Sequence, residues 1–378
     1  MSEIATPYYE IDFSQFSRNC RQITNAFIKE WGENIIFGYS VKTNNDVKLI
    51  EYANKNLGWF IETVSPYEYS ACKENGISEN EMILNGPCKG KMLFEAVNKG
   101  AYVNLDNLDE VQQFCSQRSI SQIDRIGLRV NFDLEKKCPN ETTAGKEVSR
   151  FGIDCESPEF AQAIDMLKSV GVSRLGLHMH TSTKTRSCAV FQEIAKQVLY
   201  IRNKYNVELS YIDIGGGFFG GQLVEGKPTM EDYAREICGI LKSQISPVET
   251  RLILEPGASV LATCVSYKTS IINVRKIRGQ NVVTLDGTLL HINPFMSPRN
   301  QPFDIENISE MSGRKCMEKQ ILCGCTCMEN DRFGEMIGAK ELKRGDILSF
   351  KYAGAYTMVF NSSFILKPPV RLYVKKES

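Results

Sequence analysis

The sequence lacks a net charge and lacks dense runs of Lys or Arg. Its 378 residues include 45 basic and 45 acidic side chains, which cancel. A surface that binds nucleic acid or an anionic membrane needs a basic patch. We therefore expect neither nucleic acid nor a membrane as a partner, and we expect the partner to be a small molecule.

Long apolar runs are also missing. No stretch approaches the roughly 20 residues of a membrane-spanning helix, and residues 1–12 lack the layout of a signal peptide. The thirteen cysteines are scattered through a long chain, which favours reduced thiols over a disulfide framework. The sequence therefore predicts a cytoplasmic protein, and its length predicts two domains.

Strands and helices alternate through the first two thirds of the chain. Segments of helical periodicity separate eight short apolar runs, at 35–41, 58–64, 81–84, 101–105, 124–131, 173–180, 209–214 and 251–255. Eight such repeats predict an α/β fold, a (β/α)8 TIM-type barrel over residues 30–261, whose chemistry gathers at the carboxyl ends of the strands. Residues 262–378 are β-rich and, together with 1–29 and its N-terminal strand, predict a second domain, a β-sandwich or β-barrel.

Lys42 follows the first of these runs, in the stretch Phe37-Gly38-Tyr39-Ser40-Val41-Lys42-Thr43-Asn44. One interpretation is a lysine at a strand end whose ammonium extends to solvent. The other is a partly buried amine whose pKa is lowered by desolvation, so that it can hold a carbonyl cofactor as a Schiff base. The neighbouring residues favour the second.

Two further motifs follow predicted strands. Gly215-Gly216-Gly217 comes after Tyr211–Ile214 and is either a flexible turn or a turn whose backbone N–H groups approach a phosphate. Glu255-Pro256-Gly257 comes after Leu252–Leu254. Its glutamate is either a solvated acid or a buried charge that needs a cationic partner.

Histidine and cysteine pairs raise the question of a metal. His178 and His180 alternate along one predicted strand, and we expect no metal there because no third ligand stands at a telling spacing. Cys323, Cys325 and Cys327 are predicted on one face of a strand. They lack the fourth ligand of a zinc site, so we expect packing roles for the first two.

Together these segments resemble the diaminopimelate, ornithine and arginine decarboxylases, pyridoxal-phosphate enzymes of the group IV type with an alanine-racemase-like fold. The matching segments are Tyr39–Asn44, Gly215–Phe218, Glu255–Gly257, Cys327–Asp331 and Gly354–Tyr356, in the order of the family. The resemblance implies a pyridoxal-phosphate-dependent amino-acid decarboxylase, a lyase, in which Lys42 carries the cofactor.

The resemblance also implies roles for individual residues. Glu255 would keep the pyridine nitrogen protonated, His180 would stack on the ring, and Cys327 from the partner subunit of a homodimer would return a proton to the substrate. Further cofactor contacts would come from Glu62, Arg129, Gly215, Gly216, Gly217, Gly257 and Tyr356. Asp331 and Arg299 would bind substrate, so the β-rich domain would contribute to both dimer and active site.

Departures from the family pattern predict an altered substrate pocket. Ala258 stands where the family has an arginine after Glu-Pro-Gly, and His291–Ser297 differs from the family's substrate motif. We therefore expect a modified or carrier-bound amino acid as substrate, the latter with an acyl-carrier partner. A racemase that uses Lys42 with a tyrosine base, and a non-catalytic dimerising relative, remain alternatives.

Overall fold

The computed structural model describes residues 5–116, 123–143, 148–297, 304–360 and 363–375. Its α-helices are α1 (Phe13–Trp31), α2 (Val47–Leu57), α3 (Pro66–Glu74), α4 (Met92–Asn98), α5 (Leu108–Cys115), α6 (Leu134–Lys137), α7 (Pro158–Ser169), α8 (Cys188–Lys204), α9 (Met230–Leu241) and α10 (Ala258–Leu261). Its strands are β1 (Tyr8–Asp12), β2 (Ile35–Ser40), β3 (Phe60–Thr63), β4 (Met82–Leu84), β5 (Tyr102–Leu105), β6 (Ile126–Asn131), β7 (Ile153–Asp154), β8 (Arg174–His178), β9 (Glu208–Asp213), β10 (Arg251–Leu254), β11 (Val265–Ile277), β12 (Gln280–Leu285), β13 (Ile305–Asn307), β14 (Lys319–Cys323), β15 (Arg332–Ile337), β16 (Ile347–Phe350) and β17 (Val370–Val374).

Eight parallel strands close into a barrel. The order β5-β4-β3-β2-β10-β9-β8-β6 returns to its start through pairing of β5 with β6. Their near-continuous apolar sequences, such as Leu252-Ile253-Leu254 in β10, suit strands buried on both faces. Seven of the eight lie within the predicted apolar runs, and β9 begins one residue before its run, so the predicted TIM-type fold is confirmed.

Helices such as α2 and α9 follow the loops at the carboxyl ends of the barrel strands. The side chain of Asp46 caps α2 by accepting hydrogen bonds from the N–H groups of Lys48 and Leu49, both at 3.1 Å. Thr229 and Asp232 form a capping box at the start of α9. These caps satisfy N–H groups that the first helical turn leaves without partners, and the Asp46 cap fixes the chain four residues beyond Lys42.

The β-rich segment forms a separate curled sheet of order β13-β16-β11-β12-β14-β15, with β1 beside β11 and β17 beside β1. The N-terminal strand β1 pairs antiparallel with β11 and parallel with β17, so it belongs to the β-rich sheet, as the sequence predicts. Strand β13, of three residues, and strand β15 carry exposed residues, so their apolar periodicity is weak.

One feature of this sheet corrects the sequence prediction. Strand β14 ends at Cys323, where the N–H of Gly324 donates to the carbonyl of Asp331 at 2.8 Å and the chain turns. The three cysteines therefore do not share one strand face. Cys325 lies in the turn with its thiol 3.2 Å from the carbonyl oxygen of Asp286, and Cys327 is exposed.

The chain divides into two compact units. One comprises Asn19–Ser259, and the other comprises the described residues up to Arg18 together with those from Val260 onward. The domain boundaries predicted from the sequence, 30–261 for the cofactor-binding barrel and 1–29 with 262–378 for the β-rich domain, stay predictions. Among the described residues, none of the helices has the length and apolar character needed to cross a membrane.

Candidate active site

Polar side chains converge at the carboxyl ends of the barrel strands. Each lies in the last residues of its strand or within two residues after it: Lys42, Glu62, Asn85, Asn104, Arg129, His178, Asp213 and Glu255. Except for Lys42 and Arg129, each is at most 4% exposed. Catalytic groups of this architecture occupy the same end of the barrel, so these residues define the candidate site.

Lys42 pairs with Glu62. The Nζ atom lies 2.6 and 2.7 Å from the two carboxylate oxygens, and the lysine side chain is 31% exposed. The Ser40 hydroxyl also donates to Glu62, at 2.8 Å. Lys42 is therefore held at the mouth of the barrel by a buried carboxylate and does not extend freely into solvent.

A chain of amides joins the buried acids. The Nδ2 atom of Asn85 donates to Glu62 at 3.1 Å and to Glu255 at 2.6 Å. Its Oδ1 accepts from Asn104 at 2.8 Å, and Asn104 accepts from the Tyr211 hydroxyl at 2.7 Å. Because every donor and acceptor has a defined partner, the orientation of Asn85 is fixed.

Asp213 is bound to the same network. Its carboxylate accepts hydrogen bonds from the N–H of Gly215 at 2.9 Å and from Asn104 at 3.2 Å. Burial, and then the negative charge of Glu255, raise the pKa of Asp213 well above its usual value. Asp213, at the end of β9, is thus connected through Asn104 and Asn85 to Glu62 and Glu255.

The two histidines occupy different places. His178 has its Nε2 3.7 Å from a carboxylate oxygen of Glu255, whereas Nδ1 of His180 accepts the N–H of Gly216 at 3.3 Å. Their rings are nearly parallel, with centroids 6.4 Å apart. Burial, and next the charge of Arg129, lower the pKa of His178 well below its usual value and that of His180 to about 3. Both rings are therefore neutral near pH 7.

The glycine turn lies beside these rings. Gly215 and Gly217 have φ of +74° and +96°, a conformation that disfavours other residues. A methyl group on Gly216 would run into the carbonyl oxygen of Glu255, and one on Gly215 would run into His180. The turn therefore needs glycine for its backbone conformation and for its close approach to the site.

A buried ion pair between Lys89 and Glu110 stabilises the loops after β4 and β5. Lys89 is fully buried, and its Nζ contacts Glu110 at 2.7 Å and the carbonyl of Gly86 at 2.6 Å. The same carboxylate accepts the N–H of Asp106 at 2.9 Å. Burial lowers the pKa of Lys89. The pair joins the loop after β4, which begins with Asn85, to the loop after β5.

The remaining predicted site residues are placed as follows. Arg129 lies in β6 with its guanidinium 3.3 Å from the carbonyl of His180, and Gly257 has Thr43 beside its Cα. Within the β-rich unit, Tyr356 is 45% exposed with φ of +56°. The predicted substrate contact Arg299 lies outside the described residues.

Asp331 shapes the turn that carries Cys327. It is 2% exposed, and its carboxylate accepts hydrogen bonds from the N–H of Leu289 at 2.7 Å and from the hydroxyl of Thr326 at 2.6 Å. These contacts hold the turn between β14 and β15. The roles in proton transfer and substrate binding that the resemblance implies for Cys327 and Asp331 stay predictions.

The residues at the barrel mouth fit pyridoxal phosphate. Three buried nitrogen atoms have no hydrogen-bond partner among the described residues: both ring nitrogens of His178 and the Nε of Arg129. Such atoms are costly unless a bound group faces them. Lys42 offers an amine, Glu255 offers a carboxylate for a cationic ring nitrogen, and the glycine turn offers a surface without side chains for a phosphate.

Sequence reasoning missed most of the supporting network. Asn85, Asn104, Asp213 and Tyr211 were not selected. One signal could have found Asn85, Asn104 and Asp213, because each is a polar residue at or next to the end of an otherwise apolar barrel strand. No spacing in the sequence shows that they meet.

Comparison with known proteins gives a consistent result. A family model described as pyridoxal-dependent decarboxylase, pyridoxal binding domain, matches residues 13–262. A diaminopimelate decarboxylase of Archaeoglobus fulgidus is 26% identical over 97% of this chain and 87% of its own length. An L-glutamyl-[BtrI acyl-carrier protein] decarboxylase of Niallia circulans is 25% identical over 99% and 88%.

Solved structures agree on the fold. The crystal structure of diaminopimelate decarboxylase from M. jannaschii in complex with L-lysine has a TM-score of 0.82 and 21% sequence identity to this chain. The match covers 98% of this chain and 87% of that one. At this identity the structural likeness shows the fold alone.

Proposed function

Because the chain belongs to the pyridoxal-dependent decarboxylase family, we propose that it releases carbon dioxide from an amino acid, or an amino-acid conjugate, held at the barrel mouth. The observation that carries the proposal is the meeting of Lys42, Glu62 and Glu255 around Asn85. When bound, pyridoxal phosphate supplies a ring that accepts the electron pair left by the departing carboxylate.

Lys42 and Glu62 act as a pair. The Nζ atom of Lys42 would hold the cofactor through its aldehyde carbon, with water as the leaving group, and this requires the amine to lose a proton. The carboxylate of Glu62, 2.6 Å away, is placed to accept that proton from Lys42 and to return it. Ser40 and Asn85 keep the carboxylate directed at the amine.

Glu255 would hold the cationic ring nitrogen of the cofactor. A buried carboxylate without such a partner would carry a desolvation penalty of several kcal/mol. The amide of Asn85, at 2.6 Å, fixes one of its oxygens. The other lies 3.7 Å from the neutral ring of His178. His180, whose Nδ1 accepts the N–H of Gly216, is the ring that would pack on the cofactor in this proposal.

In this proposal the glycine turn would bind the phosphate, because it offers a surface without side chains. The N–H groups of Gly215 and Gly216 donate to Asp213 and His180, which hold the turn in place. Replacing Gly216 with alanine should weaken cofactor affinity and lower turnover by about 10²-fold, because a displacement of about 1 Å at the turn misplaces the reacting centre. Absorbance titration with pyridoxal phosphate measures the affinity, and a carbon dioxide assay measures turnover.

Gly239→Ala is the matched control for this prediction. Gly239 lies in α9, and the position has room for a methyl group, so cofactor affinity should stay unchanged while stability rises by about 0.5–1 kcal/mol. Wild-type cofactor affinity in Gly216→Ala would contradict the assignment of the turn.

The returning proton comes from the partner subunit in this proposal. Cys327 is exposed on its own chain, and the resemblance assigns it to a site completed by a second copy. The protein would then be a homodimer with shared active sites, working in the cytoplasm. Asp331, through its contacts with Thr326 and Leu289, would hold Cys327 in position.

A mixture of two inactive variants tests the shared site. Lys42→Ala and Cys327→Ala subunits, mixed in equal amounts under conditions that exchange subunits, should regain about a quarter of wild-type activity, since half of the dimers contain one intact site. A mixture of Lys42→Ala with itself is the control. A mixture that recovers no activity, although mass spectrometry shows heterodimers, would exclude sharing.

The residue after Glu255-Pro256-Gly257 bears on the choice of substrate. Ala258 begins α10 directly after Gly257, where the family's arginine would supply a positive charge, and this favours a substrate other than diaminopimelate. The carrier-linked decarboxylase of Niallia circulans is as similar to this chain as the diaminopimelate decarboxylases are. A carrier-bound aminoacyl group is therefore our second candidate, with an acyl-carrier protein as partner.

A carbon dioxide release screen tests the function. Purified, cofactor-loaded protein is offered free and acyl-linked amino acids, with Lys42→Ala as the blank. Release from one class identifies the substrate. Inversion of configuration without release would establish a racemase, and failure to retain the cofactor at all would indicate a non-catalytic relative.

A further inference from the structure

Asp213 and Glu255 are two acids buried at the same point in the barrel. Asp213 is 0% exposed and Glu255 is 4% exposed. One carboxylate oxygen of each and a ring nitrogen of His178 all lie within 4.8 Å of one another. Two carboxylates this close and this deeply buried repel each other strongly if both are ionised, because solvent screening is weak.

The partners of both acids are neutral hydrogen-bond donors. Asp213 is bonded to the N–H of Gly215 and to Asn104, and Glu255 is bonded to Asn85. Among the described residues, no Lys or Arg nitrogen lies within 4.0 Å of either carboxylate. Neutral donors orient a carboxylate but do not cancel its charge.

More distant charges face the pair from neighbouring strands. Arg129 in β6 and Lys42 beyond β2 are positive, and Glu62 in β3 is negative. His178 in β8 is neutral, because burial lowers its pKa. Arg129 also faces Asp106, 3.8 Å away, so its charge is shared among several acids. The cationic ring of the cofactor would cancel at most one of the two negative charges, so a proton is the remaining way to lower the charge of the pair.

We propose that Asp213 carries a proton near neutral pH and shares it with Glu255, so that the pair presents a single negative charge to the ring nitrogen of the cofactor. The arrangement of partners leaves room for this proton. The Oδ1 atom of Asp213 accepts from Gly215 and Oδ2 accepts from Asn104. An O–H group on Oδ2 can accept from Asn104 and donate to Glu255 at the same time.

Asp213 is then a positioning residue that acts through Glu255. Its O–H group fixes one side of the Glu255 carboxylate, and Asn85 fixes the other. The electron-accepting strength of the cofactor ring depends on how firmly its nitrogen holds a proton, and Glu255 controls that proton. This inference deepens the proposed function and rests on it for the identity of the ring.

Infrared difference spectroscopy on the full-length protein tests for the proton directly. A protonated carboxyl group gives a carbonyl stretching band that an ionised carboxylate lacks. The spectrum of the wild type minus that of Asp213→Asn, near neutral pH, should contain one such band, and the band should shift in deuterium oxide. It should be present with and without bound cofactor.

Two controls keep the result specific. Asp106→Asn removes another buried acid, one that faces Arg129, and its difference spectrum should contain no protonated-carboxyl band. Wild-type protein with ¹³C-labelled aspartate carboxyls should show the band at lower frequency, and this measurement needs no variant. Absence of the band from the Asp213→Asn difference spectrum, or a band that the label leaves unshifted, would overturn the proposal.

The test separates this inference from the function. The infrared band does not depend on turnover, so a protein that shows the band and releases no carbon dioxide would overturn only the proposed activity. A protein that releases carbon dioxide and lacks the band would overturn only the shared proton.

Discussion

Replacing Lys42 with alanine should remove the visible absorbance band of bound cofactor and lower carbon dioxide release by on the order of 10⁴-fold, the scale that follows loss of a catalytic group acting in concert with others. The methyl group of alanine cannot attach to an aldehyde. It also leaves Glu62, which is fully buried, without the ammonium 2.6 Å from its carboxylate. Cofactor retention should therefore fall with activity.

The Lys42 prediction is checked by absorbance spectra of the purified variant and by the carbon dioxide assay. Lys55→Ala is the matched control, because Lys55 is an exposed lysine of α2 whose pairing partner is Glu51. It should match the wild type in both measurements. A Lys42→Ala protein that keeps the visible band and turns over would show that another amine holds the cofactor.

Replacing Glu255 with glutamine should lower turnover by about 10²–10³-fold, the range found when one electrostatic stabiliser of a transition state is removed. Glutamine keeps the shape and can still accept from Asn85, which lies 2.6 Å away. It cannot carry the negative charge that keeps the ring nitrogen protonated. The rate of the chemical step should therefore fall by a larger factor than the affinity for the cofactor.

Steady-state kinetics and a cofactor titration on the same preparation separate the two effects for Glu255. The dissociation constant for pyridoxal phosphate should change far less than kcat. Glu249→Gln, at an exposed acid just before β10, is the control and should behave as wild type. Equal losses in affinity and kcat would indicate a binding role, and an unchanged kcat would remove Glu255 from the chemistry.

The barrel could be predicted because its strands are buried on both faces. Their sequences, such as Leu252-Ile253-Leu254, are short and nearly continuous runs of apolar residues. Amphipathic helices such as α8 separate these runs. The positions of Lys42, Gly215 and Glu255 follow from the same pattern, because each comes directly after such a run. A residue at a strand end in this fold lies at the chemical end of the barrel.

The supporting network could not be predicted from one sequence. Asn85 and Glu255 lie 170 positions apart, and Asn104 and Tyr211 lie 107 apart, so their contacts exist only after the barrel closes. The different neighbours of the two histidines also form only on folding. His178 ends β8 and His180 follows it by two residues, and only the approach of Glu255 and Gly216 gives each ring its own neighbour.

The β-rich unit was predicted less well because hydrogen bonds, rather than apolar periodicity, set its boundaries. Cys323, Cys325 and Cys327 alternate as a strand would, yet Asp331 draws the backbone of Gly324 and Thr326 into a turn. A buried carboxylate that accepts N–H groups from several segments overrides a local alternation pattern.

Reduction with borohydride followed by peptide mapping tests the central claim most directly. The reagent locks a cofactor that is attached to a lysine, and mass spectrometry then identifies the peptide that carries the added mass. We expect one modified site, on the peptide that contains Lys42. Modification of Lys89, the fully buried lysine of the neighbouring loop, or of no lysine in protein that still releases carbon dioxide, would contradict the account.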